Sequence, residues 1–455
     1  MNLTDLLTRY EGKNLEFKQD LSSPDSVLRS IIAFANTSGG TILIGVEDGT
    51  RRVCGLKNAL LEEERLTNLV SHHIEPRIVP EIEILPWRRT NVLVAQVYPS
   101  PSRPHYLKKL GLSAGAFVRV GSTNRQADPG LIEEMRRYAR LESFDEQPLP
   151  ELSSEAIDFR AASELFAPYR KLQRSDLRAL RLITKYQRRE APTVGGLLLF
   201  GRMEDRQELF PDAWIKAGRF GGTDRRRILD STEIRNAPVQ AIEDAIAFVR
   251  KYLAREAVIG EVRRTEKWTL PAVALREAII NAVVHADYSQ RGGPIRVALF
   301  DDRLEIENPG LLPFGLTVED LWQGISRLRN RVIGRVFHEL GLIEQWGSGI
   351  QRMAGACREA GLPPPKLEEI GLRFRVTLSV LPQRRPQLDE RDQKILELLS
   401  DGTGRSTQQI ADHLNLTARA IRSRLRSLVE RNLVVDVGSS PRDPRRLYFA
   451  ARRTD

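Results

Sequence analysis

The sequence predicts a multidomain protein of mixed α/β (α+β) class. Its 455 residues exceed what one hydrophobic core usually holds. Helical and strand-like apolar patterns alternate along most of the chain, and polar or proline-rich segments interrupt them near residues 141–158, 363 and 386. We therefore expect three parts, at residues 1–145, 155–382 and 387–455.

The first part combines a helix with several strands. The stretch SVLRSIIAFANTSGG has helical periodicity and ends in Gly39 and Gly40, and glycine commonly closes a helix. TILIGVED, NVLVAQVYPS and AFVRVGS are short and apolar, as buried strands are. This alternation predicts an α/β domain.

The middle part continues the alternation. TVGGLLLFG and AWIKAGRFGG have the composition of strands, and VQAIEDAIAFVRKYL has the periodicity of a long helix. IRVALF and RLEIENPG predict a hairpin around Asp301 and Asp302.

A line of polar side chains crosses the most apolar helix of the middle part. In REAIINAVVHADY, Glu277, Asn281 and His285 recur every fourth residue and share one helical face. Because a polar group removed from water needs a partner, this face should meet something polar. A carboxylate beside an amide oxygen suits Mg²⁺ with a bound triphosphate, and Glu277 could also orient a water molecule. The alternative is a buried hydrogen-bond network that only orders the core.

The third part has the organisation of a winged helix. Leu388, Ile395, Leu398 and Leu399 mark a first helix, and Ser406 can cap a second, TQQIADHL. In the third, ARAIRSRLRSLVERN, Thr417 is the cap, and Ile421, Leu425 and Leu428 are predicted to face inward. Two strands joined by a basic turn, the wing, then complete the domain.

Arginines on this part predict DNA as the partner. The outward face of the third helix would enter a major groove, and the wing would contact phosphates. The residues expected at DNA are Arg419, Arg422, Ser423 and Arg426 in the helix and Arg442, Arg445 and Arg446 in the wing. A protein-interaction module with solvated arginines is the alternative.

Composition agrees with a polyanion partner. The net charge is +10 and the sequence pI is about 9.7. No apolar run approaches the roughly 20 residues of a membrane span. The start of the chain does not read as a signal peptide, and Cys54 and Cys357 form no metal or disulfide pattern. We expect a cytoplasmic protein without a membrane partner.

Three ordered motifs of the middle part resemble the ATP-binding module of the GHKL superfamily. They are REAIINAVVHADY, LEIENPGLLP and SRLRNRVIGRVFHELGLIEQWGSGIQRM, and they place the core of the module at residues 265–380. The similarity is greatest to the divergent branch found in bacterial ATP-binding transcriptional regulators. It implies a GHKL-like α/β sandwich that binds ATP with Mg²⁺.

The resemblance assigns roles to individual residues. Glu277 matches the acidic residue that polarises water, and Asn281 matches the asparagine that helps hold Mg²⁺. Asn308 stands where typical members have an aspartate that reads adenine, and no long glycine-rich lid follows Gly310. The resemblance thus implies nucleotide binding and leaves hydrolysis open. The other residues expected at the nucleotide are His285, Gly310, Arg329, Gly347, Ser348 and Gly349, with Arg327 and Arg331 as further phosphate contacts.

The first part resembles the Schlafen-type domain, also called AlbA-2, which is associated with nucleic acid. The motifs are YEGKNLEFKQD, AFANTSGGTILIGVED and FVRVGSTNRQAD. Some members are RNA nucleases that place two glutamates and an aspartate around a divalent metal. Glu11 and Glu16 keep the spacing of that pair, and Asp48 (or Glu47) falls near the third position. A structural ion pair between Glu16 and Lys18 is the alternative. Candidate phosphate contacts are Lys18, Arg51, Arg52, Arg119 and Arg125.

Together the three parts predict a nucleotide (ATP)-responsive DNA-binding transcriptional regulator that forms a homodimer or a higher homo-oligomer. RNA is a second candidate partner, through the first domain. The alternative function is a metal-dependent Schlafen-type endoribonuclease in stress response or phage defence.

Overall fold

The computed structural model describes residues 3–253, 255–259, 264–344, 347–380, 388–430, 433–438, 443 and 446–451. Residues 129–383 form one compact unit, and residues 1–128 and 384–455 form another. The mixed α/β, multidomain class predicted from the sequence is confirmed. Every helix of the described ranges is too short or too polar to cross a bilayer.

The amino-terminal region is an α/β domain. Its sheet has the order β1-β2-β5-β4, with β1 and β2 parallel and the other pairs antiparallel. The predicted helix is α2, and Gly39 follows it with φ of +77°. The elements are α1 (Leu3–Thr8), β1 (Leu15–Lys18), α2 (Pro24–Asn36), β2 (Gly40–Ile44), α3 (Ala59–His73), β3 (Ile74–Glu75), β4 (Glu81–Trp87), β5 (Thr90–Val97), β6 (Tyr106–Leu107), a 3₁₀ turn (Lys108–Leu110), α4 (Gly111–Gly115), β7 (Phe117–Val120) and β8 (Thr123–Gln126).

The elements of the 129–383 unit follow in chain order. They are α5 (Pro129–Ala139), 3₁₀ turns (Phe144–Glu146 and Ser154–Ala156), α6 (Phe159–Phe166), α7 (Asp176–Ala179), β9 (Ile183–Tyr186), β10 (Arg189–Pro192), α8 (Val194–Phe200), α9 (Met203–Leu209), β11 (Ile215–Phe220), β12 (Ile228–Ile234), α10 (Pro238–Tyr252), β13 (Arg255–Ile259), β14 (Arg264–Trp268), α11 (Ala272–His285), β15 (Ile295–Leu299), β16 (Arg303–Pro309), α12 (Val318–Trp322), α13 (Arg331–Glu339), α14 (Gly349–Glu359), β17 (Lys366–Ile370) and β18 (Arg373–Ser379).

A mixed sheet with helices packed on it organises this unit. The strand order is β12-β11-β15-β16-β18-β17, with β11 parallel to β15 and the other pairs antiparallel. The predicted hairpin is formed by β15 and β16. Leu304 and Ile306 of β16 belong to the core that α10, α11 and α14 share with the sheet. Glu305 and Glu307 alternate with them and pair with Arg225, so the opposite face is polar. The unit is an α/β sandwich.

One element prediction was wrong. TVGGLLLFG is not a strand but contains α8. The Thr193 side chain accepts a hydrogen bond from the Gly196 amide at 3.0 Å, as a helix N-cap does. A Cβ atom on Gly196 would lie 2.0 Å from the Leu182 carbonyl oxygen, so glycine lets this helix approach its neighbour. A short apolar run does not by itself separate a strand from a buried helix.

The carboxyl-terminal region has winged-helix organisation. Both predicted caps are confirmed, because Gln409 N–H donates to the Ser406 hydroxyl and Ala420 N–H to the Thr417 hydroxyl. The predicted inward residues Ile421, Leu425 and Leu428 are fully buried. The elements are α15 (Glu390–Leu399), α16 (Thr407–His413), α17 (Ala418–Glu430), β19 (Val434–Val437) and β20 (Leu447–Ala450).

The domain limits taken from the sequence remain predictions. The structure adds that α5, which the sequence assigned to the first part, belongs to the 129–383 unit. In the other unit, Val437 and Phe449 of the wing strands pack with Leu3, Leu6 and Leu7 of α1.

Candidate functional site

The polar line on α11 opens onto a cavity, which we call the α11 cavity. Glu277 is buried, Asn281 and His285 are partly exposed, and all three line the same space of about 120 Å³. At 1.5 Å per residue the line is about 12 Å long. The spacing in the sequence therefore does bring these three side chains to one place, and that place is not completely filled by protein.

The His285 end of the cavity lies beside β16. The Asn308 side-chain nitrogen donates to the backbone oxygens of Pro309 at 3.0 Å and His285 at 3.4 Å. Asn308 shares its strand face with buried Leu304 and Ile306, and this face is turned towards α11. Part of the remaining lining is apolar and includes Leu311, Leu312, Leu316 and Phe374. A flat aromatic base with polar edges suits these surroundings.

His285 is held neutral at this end. Burial, and then the positive charge of Arg329, lower its pKa to about 4. Its Nδ1 atom is buried and, among the described residues, has no hydrogen-bond partner. A buried polar atom without a partner is uncommon, and a ligand or water in the cavity would satisfy it.

Glycines bring α14 against the other end of the polar line. A Cβ atom on Gly349, the first residue of α14, would lie 2.7 Å from Glu277 Oε2. Gly347 has a φ of +66°, and a Cβ atom there would lie 2.1 Å from the Gly324 carbonyl oxygen. Both glycines line the cavity, so bare backbone at a helix N-terminus borders it. Ser348 lies between them, and its hydroxyl donates to Glu344 at 3.0 Å.

An arginine that the sequence analysis did not single out meets Glu277. Arg352 Nη2 donates to Glu277 Oε1 at 2.6 Å, and its Nη1 contacts Glu344. Arg352 follows Gly349 by three residues and so lies one helical turn further along α14. The motif GSGIQR contains that spacing, which would have been enough to nominate it.

Four residues expected at the nucleotide do not line the α11 cavity, namely Gly310, Arg329, Arg331 and Ser348. Arg329 does not line the α11 cavity but is buried in an ion pair with Glu134, with Asp287 at 3.8 Å. Gly310 is also absent from that lining, and a Cβ atom on it would lie 2.9 Å from Asp287 Cβ. Gly310, with φ of +96°, therefore makes room for this ion pair. Only contacts far apart in sequence could have revealed it.

The Asp145 carboxylate occupies the N-terminal end of α13, where Arg331 is the first residue, whereas the exposed Arg331 side chain remains a predicted phosphate contact. This carboxylate accepts hydrogen bonds from the backbone amides of Arg331 at 2.9 Å, Val332 at 2.7 Å and Ile333 at 2.9 Å. Burial raises the pKa of Asp145 to about 6, although hydrogen bonds from the Ser143 hydroxyl and from the Ile333 and Val332 amides lower it. The anion site at this helix N-terminus is thus already filled by the chain's own carboxylate.

A second, larger cavity adjoins the first. It measures about 950 Å³, and Arg329 and Arg331 line it. Both cavities are lined by residues of one segment, Ser326, Arg327 and Leu328. Leu328 on this segment and the preceding Ile325 are nearly half exposed. The segment is thus a thin wall between two spaces.

The three candidate nuclease carboxylates do not form a metal site. Glu16 Oε2 lies 2.5 Å from Arg119 Nη2, and Glu16 Oε1 contacts Lys18. Glu11 faces Asp48: burial raises the pKa of Glu11 to about 7, the Phe17 amide lowers it, and a hydrogen bond with Asp48 raises it again. Within the described ranges there is no group of three His, Cys, Asp or Glu side chains arranged to hold a metal ion.

The predicted ion pair between Glu16 and Lys18 is confirmed, and the prediction that Arg119 contacts phosphate was wrong. The Arg119 side chain is fully buried and donates to the Gly12 carbonyl at 3.0 Å and to Asn124 at 2.9 Å. Arg51 lies over the Tyr10 ring at 4.6 Å and Arg52 pairs with Glu47, whereas Arg125 is exposed.

The candidate DNA-contacting face of α17 is exposed. Arg419, Arg422, Ser423 and Arg426 are all solvent-accessible on the side opposite the buried leucines. In the wing, Arg446 pairs with Asp436 at 2.5 Å. Arg442 and Arg445 lie outside the described residues.

Comparison with known proteins gives three matches in the order of these regions. A family model described as "Schlafen, AlbA_2" matches residues 11–128. One described as "Putative ATP-dependent DNA helicase recG C-terminal" matches residues 292–378, and "Winged helix-turn-helix DNA-binding" matches residues 388–435. The second match begins after α11, so Glu277, Asn281 and His285 lie outside it.

One curated relative and two solved structures were also found. An uncharacterized ATP-binding protein from Ureaplasma parvum is 33% identical over 77 residues, 16% of this chain and 22% of that protein. The DIP2311 protein from Corynebacterium diphtheriae is 20% identical, with a TM-score of 0.43 over 96% of this chain and 92% of its own. The amino-terminal domain of a RecG-related protein from Nitrosomonas europaea is 25% identical, with a TM-score of 0.23 over 28% of this chain and 94% of its own.

The chain spans about a fifth of the curated relative, and the two structural likenesses are too weak to define a fold. The family models, by contrast, agree with the regions of the structure. The chain therefore carries a Schlafen AlbA_2 domain, a RecG C-terminal, ATPase-like module and a winged helix-turn-helix DNA-binding domain, in that order.

Proposed function

We propose that the protein is an ATP-responsive DNA-binding transcriptional regulator. Nucleotide binding is supported above all by one observation: the polar line of α11 and the glycine-flanked start of α14 meet at the same cavity. The ATPase-like family model and the ATP-binding relative support the same ligand. DNA binding is supported by the winged-helix match and the exposed face of α17.

The residues around the cavity fit a magnesium–nucleotide complex. Asn281 would offer its amide oxygen to Mg²⁺, and the carboxylate of Glu277 lies one turn away on the same face. His285, neutral and with an unpartnered Nδ1, and Asn308 would contact the base. Bound ATP would contribute a cleavable phosphoanhydride. In the present state Arg352 neutralises Glu277, the residue that would orient water, so we propose binding with at most slow hydrolysis.

Binding requires the α11 cavity to widen. Ligand pockets usually measure roughly 300–1,000 Å³, whereas this cavity measures about 120 Å³. Displacement of the wall formed by Ser326, Arg327 and Leu328 would join it to the neighbouring space of about 950 Å³. A nucleotide can shift a conformational equilibrium only if it prefers one state, and a displaced wall would leave it more room than the wall does in the present structure.

Calorimetry with ATP and Mg²⁺ tests nucleotide binding. Because Asn281 lies in the middle of the polar line, we expect the Asn281→Ala variant to bind at least about tenfold more weakly than the unaltered protein. Asn236→Ala, an exposed asparagine of the same unit, is the matched control and should bind as tightly as the unaltered protein. Equal binding by Asn281→Ala would remove the ligand assignment.

Retention of genomic DNA fragments with and without ATP tests DNA binding and its coupling to nucleotide. Replacing both Arg422 and Arg426 by alanine should weaken DNA binding. It should also reduce the steepness of the plot of log K against log salt concentration by about two, because binding releases about one counterion fewer for each phosphate contact that is lost. Arg391→Ala, on the exposed side of α15, is the control. An unchanged salt slope would favour a protein-interaction role. Winged-helix readers commonly bind paired half-sites, so we also propose a homodimer, which sedimentation would test.

A further inference from the structure

Arg352 holds two carboxylates that differ in their surroundings. Its contact with Glu277 is at 2.6 Å, and the Glu277 side chain is only 8% exposed. Its other partner, Glu344, is 56% exposed, and the Arg352 side chain itself is 35% exposed. An exposed ion pair contributes little, whereas the buried carboxylate needs its cation. The guanidinium is therefore held at the cavity chiefly by Glu277.

The guanidinium also has donor capacity to spare. Its Nε atom is buried and has no hydrogen-bond partner among the described residues. Arg327, another cation lining the cavity, already contacts the Tyr138 hydroxyl and donates to the Phe314 carbonyl at 3.3 Å. Arg352 is thus a cation at the Glu277 end of the cavity whose strongest partner is one carboxylate of the proposed ligand site itself.

We propose that Arg352 is the residue that distinguishes a nucleoside triphosphate from a diphosphate. The inference rests on the nucleotide site proposed above and names its specificity. With a base at the His285 end, the phosphate chain runs along α11 towards Glu277, and only its last phosphate reaches Arg352. A guanidinium pairs with phosphate oxygens in a two-pronged geometry, and a terminal phosphate carries more charge than a carboxylate.

In this proposal Arg352 exchanges one partner, the Glu277 carboxylate, for another, the third phosphate, and the exchange changes the surroundings of Glu277. While no third (γ) phosphate is present, Arg352 neutralises Glu277 and the start of α14 is fixed against α11. When the guanidinium turns to the third phosphate of a triphosphate, Glu277 loses its cation and becomes free to accept a hydrogen bond from water. A diphosphate leaves the ion pair as it is. Arg352 is accordingly a specificity-determining and positioning residue.

Calorimetric titration with ATP and, separately, ADP, each with Mg²⁺, tests the proposal in the full-length protein. In Arg352→Ala we expect ATP binding to weaken by about tenfold or more and ADP binding to change by less than about twofold. Arg358→Ala, an exposed arginine further along α14, is the control and should change neither affinity. Equal losses for the two nucleotides in Arg352→Ala, or no loss, would overturn the proposal.

Glu277→Gln provides a second test with the opposite sign. Removing the carboxylate charge frees Arg352, so ATP should bind severalfold more tightly and ADP about as before. Weaker or unchanged ATP binding would contradict the exchange, and this holds even if Arg352→Ala proves unfolded by circular dichroism. Failure of the unaltered protein to bind either nucleotide would instead defeat the proposed function. If the unaltered protein binds both nucleotides and Arg352→Ala weakens both equally, only the Arg352 assignment would be defeated.

Discussion

Two buried glutamates, Glu277 on α11 and Glu16 on β1, each pair with an arginine, and the arginines differ. Arg119, which meets Glu16, is fully buried and also donates to Gly12, Leu15 and Asn124. Arg352, which meets Glu277, is one-third exposed, has a solvated second partner and borders a cavity. The same pair of residue types is thus fully enclosed in one domain and partly solvent-exposed beside a cavity in the other.

The largest expected effect is on the enclosed pair of Arg119 and Glu16. Arg119→Ala leaves the Glu16 charge with Lys18 alone and removes hydrogen bonds from buried carbonyl oxygens, so we expect a loss of about 3–5 kcal/mol in the free energy of unfolding. Urea titration followed by circular dichroism would measure it. Arg125→Ala, an exposed arginine of the same domain, should change stability by at most about 0.5 kcal/mol. A similarly small loss of stability in Arg119→Ala would show that the Arg119–Glu16 pair is not an important structural link, and the contrast with Arg352–Glu277 would then be wrong.

A smaller loss in the free energy of unfolding is expected when the pH is lowered, and it comes from His285 at the α11 cavity. The pKa of His285 is lowered to about 4 in the folded protein, so the unfolded chain binds more protons between about pH 6.5 and pH 4. Stability due to this group is therefore full at neutral pH and is lost as the pH falls through that window. His285→Gln removes the dependence, and between pH 7 and pH 5 the unaltered protein should lose about 2 kcal/mol more than the variant.

Parallel urea titrations of the two proteins at both pH values would show the difference. If His285→Gln loses as much as the unaltered protein, His285 is not the neutral base that the cavity implies.

The smallest effect, with the opposite pH sign, is expected at the amino-terminal carboxylates. The pKa of Glu11 is raised to about 7, so its contribution to stability is full below about pH 4.5 and is lost as the pH rises through 7. Glu11 is partly exposed, and solvent screening reduces the loss to about 1 kcal/mol between pH 5 and pH 8. Glu11→Gln should abolish it.

Carbon-detected NMR of the Glu11 carboxyl would locate the midpoint directly, with and without Mg²⁺. We expect the midpoint to stay near 7 in both, because Glu16 is engaged by Arg119 and Lys18. A large fall in the midpoint with Mg²⁺, or RNA cleavage lost in Glu16→Gln, would restore the nuclease hypothesis.

Features carried by local periodicity were predictable from the sequence. The face of α17, its Thr417 cap and the convergence of Glu277, Asn281 and His285 follow from helical geometry alone, which needs only spacing. Helix α8 was predicted as a strand because all seven of its residues are apolar and buried, so no polar residue marks a helical period, and only the Thr193 cap distinguishes it as a helix.

The sequence thus determined which side chains share a helical face, because an α-helix fixes the direction of each residue relative to its neighbours. Tertiary structure decided which charges are cancelled. Arg329 meets Glu134, Asp145 fills the end of α13, and Arg119 meets Glu16, each through contacts between residues far apart in the chain. Charge pairing depends on distances of a few ångströms, and only the packed fold sets those distances.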